Sequence, residues 1–158
     1  MAIVRFLMLL SLVAWLGGII FFSFVVAPTV FSVLPTRHLA GSVVTRSLAA
    51  LHWMGLVSGV VFAITSMIWT RATHGAAQPF AARHIVVYAM LALTLASQFG
   101  VSPRMQALRA GMGQIDDVAQ DDPRRVEFNQ LHAWSTRLEG GVFFLGLALL
   151  FLTARRLS

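Results

Sequence analysis

The stretch "NQLHAWSTRLEGG", residues 129–141, runs directly into an almost purely apolar segment, "VFFLGLALLFLTA". Phe128, His132, Ser135 and Glu139 follow one another at spacings of four, three and four. A helix through them carries all four on one face. Arg137 falls on a different face, where its long stem lets the guanidinium reach headgroup level. An imidazole and a carboxylate at the mouth of an apolar helix can hold a proton, bind a cation or ligate a metal.

Other polar residues stand at matching depths in the chain. His52 is the only ionisable residue between Arg46 and Arg71. Gln98 lies near the far end of the apolar run that starts at His84, with Thr94 one turn deeper and Arg104 just beyond. His52, Gln98, Arg104, His132, Ser135 and Glu139 are therefore the candidate site residues, grouped by depth alone. Three readings stand open for them. A hydrogen-bond network can fix helix register. An intramembrane ionisable cluster can relay protons or ions or hold a small ligand. Two histidines and a carboxylate are also a ligand set for iron or zinc, and two histidines from facing helices can hold a haem. In the last case His52 and His132 are the ligands; no local motif joins them. His38, His74 and His84 read as interfacial residues beside lipid, and Trp15, Trp53, Trp69 and Trp134 as interfacial or packing residues.

Positioning these residues requires membrane helices. The chain is 58% apolar and 11% charged over 158 residues, whereas a soluble domain carries about 25% charged residues. Four apolar spans are legible, at about 6–26, 49–70, 84–102 and 135–154. Inside lipid each backbone polar group must be satisfied within its own element, so the spans are helices. Only fifteen residues separate Glu139 from Arg155, against about 20 needed to cross a bilayer. The fourth helix must draw Glu139 into its outer turns. The first span is too long for a signal-peptide core, and Pro28 after Ala27 disfavours cleavage there, so it reads as a membrane helix that Pro28 ends.

Start signals extend three of these helices beyond the bilayer. Pro35-Thr36 opens the second near Arg37, and Asp122-Pro123 opens the fourth as N-cap and first helical residue. The third continues through "SPRMQALRAGMGQ" until Gly111 and Gly113 weaken it. All extensions lie on the side opposite both termini. The expected fold is an all-α, integral membrane four-helix bundle in one transmembrane domain. Arginines pressed against the spans, Arg5, Arg71, Arg83, Arg155 and Arg156, favour both termini in the cytoplasm.

Composition removes several chemistries. There is no cysteine, hence no disulfide, thiolate ligand or redox dithiol. All twelve basic residues are arginine, which excludes Schiff-base lysine chemistry. The net charge of +6 flanks apolar runs, so lipid phosphate is the expected partner, and no nucleic-acid motif is present. The second helix also carries a small or polar face through Gly41, His52, Gly55 and Gly59, and the first offers Ser11, Ala14 and Gly18. Such faces let backbones approach closely, within the bundle or in a homodimer or other membrane-protein contact.

Five segments, "WLGGIIFFSFVVAP", "LPTRHLAG", "LHWMGLVSG", "SPRMQALR" and "FNQLHAWST", taken in order, resemble the bacterial family called domain of unknown function 4149, related to transmembrane protein 205 of eukaryotes. The resemblance spans nearly the whole chain. Its pattern falls on Trp15, Gly18, Pro28, Pro35, Gly41, His52, Pro103, Arg104, Phe128, His132 and Ser135. The eukaryotic relatives have asparagine where Glu139 stands. The resemblance implies four membrane helices, a bacterial inner-membrane location and no established activity. A more distant likeness, to four-helix membrane protoporphyrinogen oxidases, lacks the membrane lysine that family uses. The copper-resistance protein D family is likewise apolar and histidine-bearing, but its methionine-histidine pattern is missing. The expected function is a non-enzymatic accessory, scaffolding or small transport-related component. The alternative is a haem- or metal-binding redox protein using His52 and His132.

Overall fold

A computed structural model describes residues 1–155; Arg156 lies outside the described residues. Four long helices make up almost all of it: α1 (Ala2–Val33), α2 (Arg37–His74), α3 (Ala82–Met112) and α4 (Pro123–Ala154). Each is long and apolar enough to cross a membrane. They alternate in direction, so both ends of the described chain lie on one side. There is no strand among the described residues.

The termini of these helices follow local chemistry. The Thr36 side chain accepts a hydrogen bond from the Leu39 amide at 3.2 Å and caps α2. Asp122 accepts from the Arg124 amide at 2.8 Å and caps α4, with Pro123 in the first turn. Gly75 ends α2 in the left-handed region at φ 74°, a conformation that costs glycine little.

Two helices run through prolines that a simple reading would use as stops. The expectation that Pro28 ends the first helix is corrected here: α1 continues to Val33. Proline has no amide hydrogen, so it orphans the carbonyl four residues before it. A wide π turn at Phe22–Val26 precedes Pro28, and another at Ala96–Val101 precedes Pro103. In each case the extra residue in the turn absorbs the mismatch, and the helix goes on. Gln98 sits in the second π turn.

The core joins all four helices. Met8, Trp15, Phe62, Met90, Val142 and Leu149 are its central side chains. Trp15 lies over the small-residue face of α2. A Cβ at Gly55 would meet its indole nitrogen at 2.4 Å, and one at Gly59 would meet the ring at 2.6 Å. Gly18 of α1 closes in the same way on Met54 and Leu51 of α2. The outer surface is the reverse of a soluble protein's. Phe6, Phe24, Val57, Phe144 and Phe151 are exposed, as a surface solvated by lipid tails permits.

The end near the termini holds one further correction. His84, expected beside lipid, is fully buried, and Arg83 next to it is buried as well. The first turn of α3 faces the polar end of α2, where Arg83 donates to Thr70 and to the Ser66 carbonyl. The His84 Nδ1 meets the Gln78 carbonyl at 2.7 Å, which ties the helix start to the loop before it.

Candidate functional site

At the opposite end of the bundle three helices meet through one imidazole. His52 of α2 is 2% exposed. Its Nδ1 lies 2.8 Å from Gln98 Oε1 on α3, and its Nε2 lies 3.3 Å from Glu139 Oε2 on α4. The amide oxygen only accepts, so Nδ1 carries a hydrogen and donates it. Nε2 stands within ion-pair distance of the carboxylate, a contact that is attractive when a proton sits on the ring or on the acid. The π turn in α3 is what brings Gln98 to this position, because it shifts the helix phase by one residue relative to a regular α-helix.

Glu139 faces two ways. Behind it is His52; in front is a cavity of about 430 Å³, within the range of about 300–1,000 Å³ typical of small-ligand sites. All four helices line it. Ile19, Phe22 and Phe31 come from α1, Leu48 from α2, Met105 from α3 and Phe143 from α4. Its polar lining includes Thr45, Ser102, Arg109, His132, Ser135 and Glu139. The first π turn contributes Phe22, Ser23 and Phe24 to the wall.

The six candidates thus fall into three groups. His52, Gln98 and Glu139 are joined directly. His132 and Ser135 line the same chamber as Glu139, and His132 stacks on Phe128 with ring centroids 6.5 Å apart. Arg104 stands apart: it is exposed and paired with Glu127. Both nitrogens of His52 are engaged by Gln98 and Glu139, so neither is directed at His132. No cluster of three histidine or acidic side chains suited to a metal occurs among the described residues. The glycine face of α2 is covered by Trp15 and Leu91 of the same chain.

Arg109 is the chamber residue that sequence reasoning missed. Its Nη1 donates to Thr45 Oγ1 at 2.9 Å, and its guanidinium lies over the Phe128 ring at 5.3 Å. The group rests against Gly41, where a Cβ would approach Nη2 to 2.5 Å. The signal was available in pieces: a bare glycine on α2 and an arginine one turn before the end of α3. Nothing in either segment joined the two.

A family model described as a domain of unknown function (DUF4149) matches residues 10–114. No curated protein and no solved structure matches the chain. The match takes in His52, Gln98, Gly41 and Arg109, and ends before α4 brings His132 and Glu139. With two thirds of its length matched, and with the four-helix membrane architecture that the resemblance implies, this chain belongs to the DUF4149 family.

Proposed function

We propose that this chain is a non-enzymatic, transport-related membrane component. It takes a small ligand into the chamber at the polar end of its bundle and couples occupancy to the proton held between His52 and Glu139. One observation carries the reading: Glu139 both lines the chamber and closes on a buried imidazole whose other nitrogen is already fixed by Gln98. A ligand that draws on the carboxylate must disturb the shared proton. An ionisable pair inside a bundle is costly to keep, and function is its common reason.

The test is proton movement in vesicles containing the purified full chain, read with an entrapped pH-sensitive dye under an imposed ion gradient. The wild type should move protons above the rate of empty vesicles. Glu139→Gln should fall to the empty-vesicle rate while keeping its helical content. Flux that persists in Glu139→Gln contradicts the coupling.

A second reading has its own support. The same trio ties α2, α3 and α4 at one level, which is what a register lock does. Polar contacts of this kind contribute about 0.6–2 kcal/mol each in membranes. That role predicts a stability loss in Glu139→Gln and no proton movement in the wild type.

A further inference from the structure

Three arginines of the polar end meet carboxylates: Arg37 with Asp116, Arg104 with Glu127 and Arg124 with Asp122. Arg109 does not. Among the described residues its partners are a threonine hydroxyl and an aromatic face. Glu139 shares the chamber, but its charge is matched within the His52 pair. The chamber therefore carries one uncompensated positive charge.

Arg109 and Thr45 also line a second cavity, of about 470 Å³. The two cavities are neighbours that meet at this pair. Their linings differ in kind. The second is polar and basic, with His38, Ser42, Arg46 and Gln106 and no acidic residue. The Arg109 Nε and the His38 Nδ1 are buried without a hydrogen-bond partner, and a buried donor left unmade is expensive. An oxyanion in this pocket would stand beside the guanidinium groups of Arg109 and Arg46.

The linings are also ordered along the membrane normal. Gly41, Arg109 and His132 lie toward the outer ends of α2, α3 and α4; Leu48, Ser102 and Phe143 lie deeper along the same helices. The basic group, Arg109, stands toward the outer end, and the phenylalanines of α1 and α4 line the chamber around the deeper Glu139. Phe24 on the chamber wall is 68% exposed, so one wall of the chamber is also outer surface of the bundle.

We infer that the two adjoining cavities, which share Arg109 and Thr45 in their walls, are a binding site for an anionic phospholipid of the surrounding membrane. Its phosphate sits against Arg109 beside His38 and Arg46, and an acyl chain lies in the apolar chamber. The inference rests on the reading of the chamber as a ligand site and names the ligand class. Arg109 supplies charge-assisted hydrogen bonds to phosphate. Gly41 positions it: any side chain there displaces the guanidinium.

The experiment is native mass spectrometry of the full chain in mild detergent. It is titrated in turn with phosphatidic acid, phosphatidylcholine and inorganic phosphate. Phosphatidic acid should be retained about tenfold better than phosphatidylcholine, the scale of one charge-assisted contact. Arg109→Gln and Gly41→Ala should each remove most of that preference, and Arg37→Gln should keep it. The Gly41 variant retains every charge and remains informative if Arg109→Gln misfolds. Equal retention of both lipids, or an unchanged preference in Gly41→Ala, overturns the anionic-head assignment while leaving an apolar ligand chamber intact. Inorganic phosphate binding as well as phosphatidic acid overturns the lipid assignment. Equal loss in Arg37→Gln reduces the effect to general surface charge and overturns it too. Retention of neither lipid overturns both this inference and the chamber as a ligand site.

Discussion

At the scale of single residues, the site is governed by who accepts and who donates. His52 faces two oxygens, the amide of Gln98 and the carboxylate of Glu139, and the proposed coupling rests on a proton between His52 and Glu139. Glu139→Asn would keep a hydrogen bond to His52 and hold no carboxyl proton, so that variant is expected to lack the proposed coupling. Asp122, in water at the start of α4, shows the opposite regime. Hydrogen bonds from the Arg124 side chain and amide hold its carboxyl down at about 2. A depressed folded value stabilises the helix start above the ordinary carboxylate value of about 3.9, and the stabilisation fades as pH falls toward about 2. Helicity measured by circular dichroism should therefore decrease across that acidic window. Asp122→Ala should show the reduced helicity already at neutral pH and lose the acid-dependent step.

At the scale of elements, the apolar runs and the cap signals were enough to locate four helices. Thr36, Asp122 and Pro123 act where their types suggest. Pro28 did not, because a π turn hides a proline's missing hydrogen bond inside a continuing helix. No residue pattern in "FSFVV" announces that turn. The same device in α3 turns Gln98 toward His52, so part of the site depends on a backbone feature that spacing rules assume away. Gly55 and Gly59 were legible as a close-packing face, but their occupant, Trp15, stands some forty residues earlier. Gly55→Leu forces the indole out of its seat. Overpacking of this kind costs about 1–3 kcal/mol. The variant should unfold at a distinctly lower temperature in detergent, as followed by tryptophan fluorescence, and a midpoint equal to the wild type would contradict the packing described for Trp15.

At the scale of the whole molecule, the bundle separates its chemistry by end. Near the termini, Arg83 and His84 are buried and tie α3 to α2 and to the preceding loop. At the other end lie the two cavities and the His52, Gln98 and Glu139 trio. Depth along each helix was readable from the sequence, and of the residues grouped by it His52 lies within hydrogen-bond distance of both Gln98 and Glu139 in the fold. Rotation about each helix axis was not, which is why Arg104 was grouped with them and Arg109 was passed over. The central claim is that His52 bridges Gln98 and Glu139 at the floor of the chamber. Nitrogen-15 magnetic resonance of histidine-labelled protein in bilayers tests it most directly. The account predicts that the buried His52 imidazole carries a hydrogen on Nδ1 in a strong hydrogen bond, as the buried His84 does with Gln78, and that the His52 Nε2 resonance shifts in Glu139→Gln while those of His84 and His132 change far less. A His52 resonance that resembles free imidazole and ignores Glu139→Gln would contradict it.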